Sequence, residues 1–173
     1  MSRLLRLALL VVAIGLALPV AWPVGRLIWA RLAPPEAVLA AFTRPDLTET
    51  AEDQLTDPLI LAGRRVVPAV LHAIEDPAMP LRRYAIDFLG DGAFPEARAA
   101  LEGILADSVE GDYFRGDALE ALYHIDVTRA RQLAQRYHER SAYLGQTARD
   151  VLADRSNRFP RRTLALAFWH VHE

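Results

Sequence analysis

The sequence predicts an all-α chain: a short α-solenoid of about four helical hairpins behind an N-terminal transmembrane helix. Three observations carry that reading. Residues 7–25 hold no charged side chain. A pattern with helical periodicity recurs four times between residues 47 and 152. Turn-forming residues fall within and between those repeats, where hairpins of helices need them.

The apolar segment comes first. Nineteen uncharged residues in a helix span about 28 Å at roughly 1.5 Å per residue, close to the thickness of a bilayer's hydrocarbon core. Arg3 and Arg6 precede the run and Arg26 and Arg31 follow it. A cleavable signal peptide is the competing reading. It wants a shorter apolar region followed by small residues, whereas the candidate site at Pro19-Val20-Ala21 puts proline at −3. A core helix would show a polar face, and this run has none. The segment reads as a signal anchor. Its short N-terminal tail orients the chain with residues 33–173 outside the cytoplasmic membrane.

The repeats follow. Segments 47–55, 81–89, 114–122 and 144–152 share [LF]-x-x-x-A-x-[DE]-x-L, with the alanine at Ala51, Ala85, Ala118 and Ala148. Apolar positions at i, i+4 and i+8 lie on one helical face, and alanine between them permits close helix approach. The acid two positions later, at Asp53, Asp87, Glu120 and Asp150, points about 200° away, outward from the seam. Each of these second helices is preceded by a first one. Val38, Leu39 and Phe42 match Val70, Leu71 and Ile74, and the later partners span 97–106 and 128–137. Arg44-Pro45-Asp46, Asp76-Pro77, Asp107-Ser108 and Glu139-Arg140-Ser141 supply turns inside the pairs. Asp57-Pro58, Gly90-Asp91-Gly92 and Asp126 supply breaks between them. Stacked pairs bury a continuous core that no single pair can bury alone.

Composition removes whole classes of function. The 173 residues include no cysteine, which excludes disulfides, cysteine-ligated zinc, iron–sulfur clusters and thiol nucleophiles. All 20 basic residues are arginine, which excludes lysine Schiff bases and lysine-dependent phosphate loops. The first acidic residue is Glu36, so residues 33–173 set 16 Arg against 22 acids, a formal charge of −6. Such a domain is a poor match for a phosphate backbone, and no nucleic-acid partner is expected.

From 63 to 90 the residues run Gly63-Arg-Arg-Val-Val-Pro68-Ala-Val-Leu71, then Asp76-Pro, Leu81-Arg82, Ala85 and Leu89-Gly90. This stretch resembles a HEAT repeat, and more narrowly the short bacterial form also seen in phycobilisome-lyase-like proteins. The resemblance covers 35–154 and is strongest over 63–124. It implies a solenoid whose second helices line a concave face serving as a scaffold or binding surface. Lyase members attach bilins, but nothing here beyond the repeat points to a chromophore. The resemblance also implies a ladder in which an Asp after one helix pairs with an Arg early in the next. Asp76/Arg82 and Asp107/Arg115 fit it. Gly145 and Thr48 break it in the outer repeats, which are then capping units.

Catalytic signals are absent. Ser2, Ser108, Ser141 and Ser156 sit in no nucleophile turn, and Glu52/Asp53 and Glu75/Asp76 are adjacent carboxylates that cannot flank a substrate. His170-x-His172 offers two ligands where zinc needs three or four, with His72, His124 and His138 spread over other helices. No cofactor or metal is expected. Arg115-Gly116-Asp117 spells an adhesion tripeptide but falls within a predicted helix. The acid row Asp53, Asp87, Glu120 and Asp150 reads either as a solvated face, with Arg83 pairing to Asp87, or as a docking ridge. Tyr84, Tyr113 and Tyr123 supply the ridge with aromatic anchors. The tail over 155–173 has Arg155, Arg158, Arg161 and Arg162 before an apolar stretch. There Leu164, Ala167, Phe168 and Val171 share a face, so a helix capping the last repeat is expected, with a bilayer-surface segment as the other reading.

The domains are therefore 1–32 anchor, 33–154 solenoid and 155–173 tail. The function expected is a non-catalytic protein-interaction scaffold at the bacterial cytoplasmic membrane, with an unidentified protein partner of basic character. The alternative is an accessory subunit or lyase-like protein acting with a partner.

Overall fold

The computed structural model describes residues 20–45, 50–140, 142–155 and 161–170, and every regular element within them is helical. Helix α1 covers residues 20–32. It sets Pro23 and Ala30 inward as buried residues, with Leu27 packed on the core between them. That spacing is one helical stripe. Among the described residues no helix is long and apolar enough to cross a membrane. Residues 7–19 of the expected span lie outside the described residues. The remaining part, 20–25, begins helix α1.

Pro35 opens α2 (Pro35–Thr43) at a position where its missing N–H costs nothing, and Val38 and Phe42 are fully buried. A second helix was expected over 47–55. Leu47, Thr48 and Glu49 lie outside the described residues, and Glu52–Gln54 forms only a 3-10 turn. Pro58 has no N–H for the Gln54 carbonyl, so no helix entering from the 47–55 segment runs unbroken past it. The chain instead restarts as α3 (Asp57–Ala62), turns through Gly63–Val66 and continues as α4 (Val67–Ala73). Gly63 takes φ +66, which costs a glycine little.

The middle of the chain follows the predicted register. It comprises α5 (Arg82–Asp91), α6 (Arg98–Ala106), α7 (Asp112–Ile125), α8 (Val127–Ala134) and α9 (Tyr143–Leu152). Helix α7 packs against all four others. Ala85, Ala118 and Ala148 are fully buried at the seams. A Cβ on Gly90 would come within 2.6 Å of the Ala121 Cα, and one on Gly116 within 2.4 Å of the Tyr143 ring. Small residues therefore set how closely α5, α7 and α9 approach. Around them Leu89, Leu101, Leu119, Leu122 and Leu144 are buried, each stabilising by about 1.5–3 kcal/mol.

The expected Asp/Arg ladder does not form. Arg82 donates from Nε to the Ile74 carbonyl at 2.8 Å and from Nη1 to Glu110 at 2.6 Å. Arg115 donates to the Leu105 carbonyl at 3.0 Å. Both guanidiniums satisfy carbonyls left open at the end of the preceding helix. Asp76 and Asp107 instead accept from the backbone N–H groups of Ala78 and Val109, closing their own turns.

The C-terminal helix α10 (Leu164–Trp169) is also placed differently from expectation. It packs on α3 at the start of the domain and does not cap the last repeat. Ala167 is buried there and Phe168 partly so, whereas Leu164 is half exposed. Val171, His172, Arg158 and Ser141 lie outside the described residues. The cause of the placement is polar. Arg162 donates to Asp57 from Nε at 2.9 Å and from Nη2 at 3.3 Å, His170 Nδ1 lies 2.7 Å from the same carboxylate, and Arg26 on α1 reaches it at 3.3 Å. The Asp57 side chain is 1% exposed, so three elements converge on one buried charge.

Candidate functional site

A cleft of roughly 590 Å³ opens between the Glu52–Gln54 turn, α5 and α7, with Tyr143 of α9 and Arg162 of the tail at its margins. Helix α7 contributes Asp117, Glu120, Ala121 and His124, which share a face by their i, i+3, i+4, i+7 spacing. Helix α5 contributes Arg83, Tyr84, Asp87 and Asp91, and the first turn adds Glu52, Asp53 and Thr56. Six carboxylates thus face two guanidiniums and one imidazole.

Most of these charges are committed. Arg83 grips Asp117 with two bonds, Nε to Oδ2 at 2.5 Å and Nη2 to Oδ1 at 3.1 Å, and the Tyr143 hydroxyl donates to Oδ1 at 2.9 Å. The bond to Asp117 raises the Arg83 pKa. Burial, then the Asp117 charge, raises that of Tyr143. The Tyr84 hydroxyl donates to Glu52 at 2.5 Å and is pushed up to about 12, by burial first and by that carboxylate second. Arg162 reaches Asp53 at 3.3 Å as well as Asp57.

Asp87 differs from its neighbours. No described residue donates a hydrogen bond to it, and its expected helical partner Arg83 is turned to Asp117 instead. Its carboxyl keeps an edge open to water at the mouth while the walls crowd it. That burial, reinforced by the charges of Asp117 and Asp91, pushes its pKa well above the ordinary carboxylate range. Nearby, His124 is 8% exposed, with Nδ1 3.4 Å from Asp91 and no hydrogen-bond partner at Nε2 among the described residues.

Three of the four expected ridge acids come together here: Asp53, Asp87 and Glu120. They line a concavity, because the helix face opposite the alanine seam opens on the cleft. Asp150 does not join them. It is 5% exposed, accepts from Gln146 Nε2 at 3.0 Å and lies 3.5 Å from Arg155. Of the expected aromatic anchors only Tyr84 lines the cleft. Tyr113 is exposed and stacks on Tyr143 with ring centroids 4.9 Å apart, and Tyr123 is hydrogen-bonded to Asp154. Arg115-Gly116-Asp117 is buried within α7, so it is no adhesion loop.

Sequence reasoning missed Asp117, Asp91, His124 and Tyr143. The first and third carried a signal, since they flank Glu120 at i−3 and i+4. The cleft holds no serine or cysteine, so the His124–Asp91 pair has no such nucleophile to activate. Among the described residues no group of three His, Asp or Glu side chains is arranged to hold a metal ion. The site is an array of acceptors flanked by phenol rings, suited to a donor-rich cation. No family model matches the chain, and no curated protein and no solved structure shows significant similarity to it.

Proposed function

We propose that this protein is a membrane-anchored, HEAT-like interaction scaffold, non-catalytic, whose acidic cleft receives an arginine-bearing segment of a partner protein. The single observation that carries the reading is Asp87, an exposed residue at the cleft mouth whose carboxyl accepts no hydrogen bond from a described residue and stands amid five other carboxylates. A guanidinium supplies what the site lacks: N–H donors for Asp87, positive charge, and a flat face for Tyr84 and Tyr143. The repeated alanine seam and the packing of α7 between α5 and α9 support the solenoid reading. The uncharged run at 7–25 supports the anchor, with the helical domain on the outer side of the bacterial cytoplasmic membrane.

The test uses an oligoarginine peptide as probe at low salt. Asp87→Asn with Glu120→Gln should weaken binding at least tenfold and flatten its salt dependence. Glu75→Gln with Asp76→Asn makes the same charge change at exposed positions outside the cleft and should leave binding nearly intact. Equal weakening by the two pairs would reduce the cleft to general acidity and overturn the reading. Because a bound cation pulls the Asp87 proton off, binding should release protons and weaken as pH falls through that raised pKa.

A further inference from the structure

The exposed apolar side chains of the domain are concentrated at one end. Among the large ones in the described residues, all but Val109, Tyr113 and Val127 lie on α1 and α10. Helix α1 turns Pro23 and Ala30 to the core and leaves Trp22, Val24, Ile28, Trp29 and Leu32 bare, from 37% exposed at Val24 to 77% at Leu32. At 100° per residue those five fall on the arc opposite the buried stripe. Helix α10 adds Leu164 and Trp169, each about half exposed. The two helices are joined: Arg26 donates to the Ala167 carbonyl at 3.2 Å and stacks 4.7 Å over the Trp22 ring, which meets the His170 ring edge-on at 5.4 Å.

We infer that this composite face of α1 and α10 rests on an anionic lipid bilayer, so that the helical domain lies against the membrane and does not hang from a free tether. The occupant is argued from three facts. The bare arc of α1 continues directly from the uncharged run of residues 7–19. Residues 20–32 and 161–170 contain no acid, in a domain that is otherwise acidic; Arg26 and Arg162 are held by Asp57, while Arg31 and Arg161 are exposed. An anionic surface attracts those two exposed guanidiniums. Finally, the chain's three tryptophans, Trp22, Trp29 and Trp169, are all exposed on these two helices. Tryptophan prefers the depth where apolar chains meet headgroups, and an interfacial helix sinks about 5–10 Å there. The inference rests on the anchor reading but not on the cleft's ligand.

The three tryptophans make the test direct, because intrinsic emission reports on these two helices alone. Full-length protein is reconstituted into vesicles of phosphatidylglycerol with either phosphatidylcholine or its acyl-brominated analogue. In Trp22→Phe/Trp29→Phe only Trp169 emits, far in sequence from the anchor. Its emission should fall by roughly half in brominated vesicles, shift to the blue and resist iodide. Leu164→Cys carrying an environment-sensitive label gives a second reading in a chain with no other cysteine. Trp169 and residue 164 open to iodide and blind to bromine, in protein that still floats with vesicles, would overturn the inference and leave the anchor standing. Protein that fails to float would overturn both. Shielding from iodide without bromine quenching, together with a cross-linked dimer or with tail residues 1–19 cross-linked to α10, would reassign the face to protein and overturn it too.

Discussion

The two halves of this molecule are held together by different physics. From Arg82 to Leu152 the helices interlock through repeated apolar positions and fully buried alanines, so each element depends on its neighbour in sequence. From α1 to α4 the pattern is looser: Ala51 is only half-buried, the described part of the expected second helix is a 3-10 turn, and α10 from the far end of the chain packs on α3. Those pieces share the apolar core through Ala30, Val38, Phe42, Leu59 and Ala167, and beside it one buried carboxylate, Asp57, is shared by Arg26, Arg162 and His170. A repeat that loses a helix must cover its exposed core with something. Here the cover is non-local, with a buried polar cluster among its contacts.

The sharpest break in that comparison is Asp57→Ala. Removing it leaves the Arg162 guanidinium, 6% exposed, without its main partner. Deleting one member of a buried ion pair costs about 3–5 kcal/mol, more than the pair itself contributes. The loss should be local: α10 detaches and residues 161–170 become protease-sensitive, while α5–α9 keep their amide-exchange protection. Uniform loss of protection would show that the two halves unfold as one.

The alanine slot permits a direct comparison of the halves. Ala118→Leu forces a larger side chain into a sealed seam, costing about 1–3 kcal/mol. Ala51→Leu makes the same change in the same slot of the first repeat, where the residue is half open, and should cost well under half as much. Paired denaturant melts measure both. Equal costs would mean that the first repeat is as tightly registered as the others.

How much was legible follows the same division. The helices from α5 to α9 were readable because Pro, Asp and Gly punctuate them and because Ala85, Ala118 and Ala148 fix a common face. Asp87 and Glu120 were readable as a pair for that reason. Their helical wheel gave a direction away from the seam, but a wheel cannot say whether that side is open surface or the wall of a cleft. The landing of α10 was not legible, since the Arg162–Asp57 contact joins residues 105 apart in sequence and no local period encodes it. Asp150 obeyed the period and still left the row, because Gln146 and Arg155 on its own end of the chain captured it. The Arg82 and Arg115 partners were misassigned because a helix-end carbonyl within reach of a buried guanidinium must be satisfied there, whereas exposed Asp76 and Asp107 find the N–H groups of their own turns.

The smallest expected effect also has the most informative sign. Asp87 belongs to the well-ordered half, yet its charge is a cost of that order: α5 and α7 bring Asp91 and Asp117 close and crowd water away. A carboxyl whose pKa is raised on folding binds its proton more tightly in the native state. Its contribution is therefore most favourable at low pH, where Asp87 is protonated in both states, and is lost as pH rises from the ordinary carboxylate range through the raised value. Asp87→Asn removes that charge and keeps the shape. The variant should melt a few degrees higher than the wild type at neutral pH, a modest gain because the carboxyl retains an open edge to solvent that screens it. The advantage should vanish once pH falls below the usual Asp range. The same substitution should impair binding of an arginine probe, so a site residue would be stabilising to remove and costly to lose. A variant that melts lower than wild type at neutral pH would mean that Asp87 is paired in solution, and the cleft would then have no unfilled acceptor at its centre.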